Sequence, residues 1–250
     1  MHFVKLTSIL ILCSLAAQAQ FVTIGDARPM DNGCILLTPD EPYSEGIAYS
    51  TTLLNLNFDF EISFDIYLGD KDDNGADGIT FVIHKDRRNF QAYGTYGECL
   101  GYGRWNPYVD FGTYIAPSVA IEFDTYYNLR QNDPLSDHIA YLENGVSFHR
   151  NYWNDNNENF NMEDGSLHQF RFIWNSTLQT IQVFFDNKLA FQGQRDLIND
   201  IFNGENMVIW GFTASTGRKY NLQYFCLRRL AINYNPTLEH PLEVFKQSKE

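Results

Sequence analysis

The chain has 250 residues, of which 44% are hydrophobic and 20% charged. That is enough apolar material for a packed core, and it excludes a mainly disordered chain. Eighteen Lys and Arg against 31 Asp and Glu give a net charge of −13, a field that repels nucleic acid and anionic membranes and leaves metal cations and neutral ligands as partners.

The first element in chain order is a leader. Lys5 precedes an apolar run from Leu6 to Ala16, and Ala17-Gln18-Ala19 supplies small residues for cleavage. Residues 1–19 therefore read as a secretory signal, 20–235 as one domain and 236–250 as a charged tail. The run is shorter than the ~20 residues that span a bilayer, and no later run approaches that length. A secreted product, extracellular or periplasmic, with no membrane insertion is expected.

Period-two alternation dominates the rest. Phe58, Phe60, Ile62, Phe64, Ile66 and Leu68 alternate with Asp59, Glu61, Ser63, Asp65 and Tyr67, which predicts a half-buried strand. The pattern returns at Ile79/Phe81/Ile83, Val119/Ile121/Phe123, Phe170/Phe172/Trp174 and Ile181/Val183/Phe185. Turn clusters at 69–75, 151–165 and 175–179 separate these runs. Only Asp196 to Phe202 has helical spacing. The pattern predicts an all-β antiparallel sandwich. Cys34, Cys99 and Cys226 follow the leader; an odd number allows one bridge and one free thiol, and spacing alone leaves the pair open.

The stretch richest in chemistry is Ser118 to Asn128, followed by Asp133-Pro134 and His138. Glu122 and Asp124 are two apart on a predicted strand, so both project from one face, while Val119, Ile121 and Phe123 project from the other. Two such carboxylates ~4 Å apart repel by about 4 kcal/mol at an effective dielectric of ~20, so a cation belongs between them. Asn128, Asp133 and His138 add oxygen and nitrogen donors. Oxygen ligation suits calcium; adding an imidazole suits manganese or another transition ion.

This string resembles the metal motif of the L-type (legume-type) lectins, Glu-x-Asp-x-aromatic-x-Asn-x4-Asp-Pro-x3-His, without a gap. The resemblance implies a concanavalin A-like jelly roll. It also implies two ions: Mn2+ or another transition ion on Glu122, Asp124, Asp133 and His138, and Ca2+ on Asp124, the Tyr126 carbonyl, Asn128 and Asp133. Ala76-Asp77-Gly78 looks like the family's sugar-binding turn, with its cis bond before the Asp. Gly97-Glu98-Cys99-Leu100-Gly101 looks like the loop that follows, and Trp210 to Gly217 like the strand leading into the specificity loop. Sugar contacts are then expected from Asp77, Gly78, Glu98, Tyr126, Asn128, Gly217, Arg218 and Lys219. The family's first and last strands lie side by side, which implies a Cys34–Cys226 bridge with Cys99 free. The implied partners are glycans or glycoproteins, and the family commonly assembles as homo-oligomers through a flat back sheet. The short loop after Thr216-Gly217 resembles that of mannose/glucose-binding members.

Two other functions compete with a non-catalytic lectin. One glycoside hydrolase family on a similar jelly roll carries Glu-x-Asp-x-x-Glu, but the third place falls here on Tyr127, which cannot replace the acid. An adhesion module with structural metals is the other. Asp70 to Gly75 begins like an EF-hand loop, yet its twelfth position is Phe81 rather than Glu. Asn175-Ser176-Thr177 is a glycosylation sequon in a predicted turn. Trp105 and Trp153 lie in polar loops, where packing is the expected role.

Overall fold

The computed structural model describes residues 21–104, 108 and 112–233. The expected leader 1–19, the expected tail 236–250 and Trp105 lie outside the described residues. Two seven-stranded antiparallel sheets form the jelly-roll sandwich. The first runs in the order β1 (Phe21–Gly25), β4 (Glu45–Ser50), β13 (Met207–Ser215), β7 (Gly78–His84), β8 (Ser118–Asp124) and β9 (His138–Glu143), and β5 (Leu54–Asn55) pairs with β13. The second runs β12 (Lys188–Gln194), β11 (Thr180–Phe185), β10 (His168–Asn175), β6 (Phe60–Tyr67), β14 (Gln223–Ile232), β3 (Ile35–Thr38) and β2 (Arg28–Pro29).

The alternating apolar residues meet between the sheets. Phe64 of one sheet stands edge-on to Phe212 of the other at 4.6 Å, and Phe81 meets Phe172 at 5.2 Å. Such pairs add about 0.5–1.5 kcal/mol each beyond the area they bury. Phe58 departs from the expected strand: it is 48% exposed, because a turn closes from Asn55 to Phe58 and the strand starts only at Phe60. The helical spacing yields one π-helical turn, Leu197–Ile201, whose cap Asp196 accepts from the Asn199 N–H. The EF-hand-like segment is a single 3-10 turn, Asp72–Asn74, and Phe81 lies in the core. Asn175 turns its side-chain oxygen inward to accept from the Leu178 N–H at 2.7 Å. Trp153 packs on Phe160 and Phe185.

Cys34 and Cys226 are bonded, and Cys99 is a buried free thiol. The register explains the pair: Ile35 lies opposite Phe225, so the next antiparallel positions bring Cys34 to Cys226. The bridge closes a separation of 192 residues. Replacing both cysteines by serine is expected to cost about 2–4 kcal/mol, measured by urea unfolding; a change below about 0.5 kcal/mol would contradict this chain-entropy account.

One departure from simple alternation positions the site. Every residue of β7 and β8 is buried, not only alternate ones. The outer face of the first sheet carries a second apolar cluster, in which Val82, Ala120, Ala140 and Leu142 pack beneath loop residues Ala92, Tyr102 and Ile115. That roof shields part of the outer face, where Glu122 and Asp124 project.

Candidate functional site

The strand register assembles the site as a row. Ser215 of β13 lies opposite Gly78 of β7, Gly78 opposite Asp124 of β8, and Asp124 opposite His138 of β9. Gly78 has φ +143°, and a Cβ there would sit 2.2 Å from the Phe123 carbonyl, so only glycine lets β7 approach β8 at this point. The Ala76–Asp77 peptide is cis.

Loop 125–137 folds its donors over the end of this row. The Tyr126 N–H bonds Asp124 Oδ1 at 2.8 Å, and the Asn128 N–H bonds Asp133 Oδ2 at 2.7 Å. Asp124, Asp133 and His138 place one ligand atom each within 4.8 Å of one another. His138 Nε2 lies 3.9 Å from Glu122 Oε1 and 3.8 Å from Asp133 Oδ1. Glu122 Oε1, Asn128 Oδ1, Asp133 Oδ1 and His138 Nε2 are all buried without a hydrogen-bond partner. A partnerless buried polar atom costs about 1–3 kcal/mol, and more when charged, so four in one place call for a shared cation. The donor chemistry fits two ions: an oxygen-rich position at Asp124, Asn128 and Asp133, and a mixed one at Glu122, Asp124, Asp133 and His138.

The electrostatics agree. Burial raises the pKa values of Glu122 and Asp124; Asp133 and Glu122 add repulsion at Asp124, and His149 partly offsets burial at Glu122. Asp133 is pushed up to about 7 by burial and then by Glu122. His138 is held down near 3 by burial and by His149, so it is neutral and able to ligate at physiological pH.

The expected sugar residues gather beside this cluster. Asp77 is buried at 5% exposure with Oδ2 unpartnered, and its pKa is raised to about 7 by burial and by Glu98. A Cβ on Gly217 would lie 3.4 Å from that Oδ2, which puts the loop after β13 against Asp77. Glu98, Tyr126, Tyr127, Asn128, Leu129 and Arg130 line an open concavity of about 640 Å3. Glu98 accepts from Arg130 Nε at 2.9 Å, which offsets only part of its charge because Arg130 is exposed. Lys219 Nζ bonds the Asp73 carbonyl and lies 5.1 Å from the centre of the Tyr126 ring, while the neighbouring Arg218 is exposed.

Sequence reasoning missed His149. It forms a second three-residue group with Glu122 and His138, again within 4.8 Å. The signal was the Asn144-Gly145 pair. Both residues have positive φ and the Val146 N–H bonds the Glu143 carbonyl at 3.2 Å, a tight turn that sends the chain back along β9. A histidine 11 residues after His138 thereby returns to its side.

A family model described as the legume lectin beta-barrel domain matches residues 13–229. Among solved structures, peanut lectin is similar at 24% identity, covering 88% of this chain and 92% of its own, with a TM-score of 0.65. Basic winged bean lectin, solved with Tn-antigen, is 21% identical, covering 83% and 90%, with a TM-score of 0.63. Lectin II from Ulex europaeus is 16% identical, covering 87% and 97%, with a TM-score of 0.67.

Proposed function

The chain belongs to the legume lectin domain family, and from that premise we propose that it is a secreted, metal-dependent lectin that binds neutral glycans without catalysis. The observation that carries this reading is the partnerless Asp77 Oδ2, buried beside Gly217 and next to a cluster of equally partnerless metal-type donors. An ionised Asp77 accepts two sugar hydroxyls. Asn128 would hold calcium through its buried, unpartnered Oδ1 and donate from its amide nitrogen to the sugar, and Tyr126 offers an aromatic surface for C–H contact. The ions act as scaffold. Tyr127, at the place where a hydrolase needs its acid, is half-exposed and supplies no carboxyl.

The glycan we favour is of the mannose/glucose type, because the loop from Thr216 to Asn221 is short and turns back at once: the Gly217 N–H bonds the Lys219 carbonyl at 3.1 Å. Sites of this kind are shallow, so useful avidity comes from several copies at matched spacing. A glycan array with and without chelator tests the reading as a whole, since retained binding in chelator rejects metal dependence and no binding in either condition favours an adhesion module. Competition titrations test the preference. Methyl mannoside is expected to inhibit. Inhibition by methyl galactoside alone would overturn the loop argument, and inhibition only by a sialylated oligosaccharide would assign recognition to Arg218 and Lys219.

A further inference from the structure

Resting on the metal-dependent reading above, we infer that His149 is a direct second imidazole ligand of the transition-ion position, so that this position selects zinc, cobalt or nickel over manganese. The two imidazoles are held in the same way. The His138 ring donates to the carbonyl of Ser136, two residues upstream, and because its Nε2 is buried and unpartnered the donor is Nδ1. His149 Nδ1 lies 3.3 Å from the carbonyl of Ser147, also two residues upstream, and its Nε2 is likewise buried and unpartnered. A carbonyl can only accept, so Nδ1 carries the proton and Nε2 presents the lone pair. A backbone carbonyl on one ring nitrogen, fixing the other for a metal, is how ligating histidines are oriented.

Both Nε2 atoms face the same oxygen. His138 Nε2 is 3.8 Å and His149 Nε2 3.9 Å from Asp133 Oδ1, and the ring centres are 4.8 Å apart. Donors about 2.0–2.2 Å from a common ion stand about 3–3.5 Å from one another, so a contraction of under about 1 Å closes the set. The loop is built for this position. The His149 N–H bonds the Gln131 carbonyl at 3.3 Å, and Asn132 Nδ2 bonds the His149 carbonyl at 2.9 Å, which ties His149 to the segment that carries Asp133. His149 Nδ1 also lies 2.9 Å from Glu122 Oε1, an oxygen that makes no aligned hydrogen bond. A second imidazole beside His138, Glu122, Asp124 and Asp133 shifts the donor set from oxygen toward nitrogen, which suits zinc-like ions, whereas manganese favours oxygen.

The test loads the chelator-stripped full chain with cobalt(II) and counts exchangeable, hyperfine-shifted imidazole N–H resonances by proton NMR. Two are expected for the wild type and one for His149→Ala. Competition calorimetry should show zinc favoured over manganese, with zinc affinity falling more than about 100-fold in the variant, beyond the about 10–100-fold that loss of an outer-shell partner costs. The wild-type spectrum decides alone if the variant does not fold. One resonance in the wild type, or an unchanged zinc preference in a folded variant, overturns the assignment and leaves the metal-dependent lectin standing. No cobalt uptake by the wild type overturns both.

Discussion

Stripping the ions is expected to lower the melting temperature on the order of 10 °C at pH 7.5 and to abolish glycan binding. Without cations, Glu122, Asp124 and Asp133 share one buried site with raised pKa values. Holding Asp133 ionised against a pKa of about 7 costs on the order of 4 kcal/mol at alkaline pH. In a domain of this size each kcal/mol moves the midpoint by about 2–4 °C. The pH dependence has a definite sign. In the metal-free protein the folded state keeps protons that the unfolded state has released, so stability is greatest in acid and is lost as pH rises from about 4 through about 7. Ion binding demands deprotonated ligands and so has the opposite slope. Melting scans at pH 5 and 8, with and without EDTA, should therefore show a gap that widens with pH. A melting temperature indifferent to EDTA at pH 8 would remove the ions from this site.

The sheet pattern and the ligand string were legible for the same reason: both are local. Phe60 to Leu68 announces its strand because each side chain alternates, and Glu122 to His138 lies within one strand, one loop and the start of the next. What the sequence hid was non-local. Alternation implied that Glu61 and Asp65 face water, yet both are buried; Arg228 reaches Asp65, and an Arg229 nitrogen lies 3.7 Å from Glu61. Both arginines lie on β14, more than 160 residues away. The roof of Ala92, Tyr102 and Ile115 that turns the outer face of β8 into an interior comes from a loop with no strand period of its own. Glu98 and Arg130 are 32 residues apart and meet only because their loops converge beside Asn128. His149 stayed hidden because the family string ends at His138, and only the Asn144-Gly145 turn brings it back.

Asp77→Ala is expected to eliminate glycan binding, a loss of more than about 100-fold, while leaving the melting temperature unchanged or slightly raised. The two halves of this result come from different atoms. The structural role of Asp77 lies in its backbone: its N–H donates to the Ser215 carbonyl at 3.1 Å, and its carbonyl accepts from the Thr125 N–H at 3.0 Å. Alanine keeps both bonds, and so keeps the splice between β13, β7 and the loop after β8. The side chain makes no such contribution, because Oδ2 is buried and partnerless beside the repelling Glu98. Removing it relieves an unmet desolvation cost. In a sugar complex the same carboxylate would accept two hydroxyl protons, and charge-assisted bonds are worth about 1.5–3 kcal/mol each, enough for the stated loss. Asp77→Asn sharpens the test, since it preserves volume but replaces one acceptor oxygen by a donor; it should fail to bind as alanine does. Calorimetry against a multivalent neoglycoprotein, paired with a thermal scan of each variant, reads both halves. Binding retained in either folded variant would place the sugar elsewhere on the molecule, and a collapse of the melting temperature in the alanine variant would make Asp77 a structural residue instead.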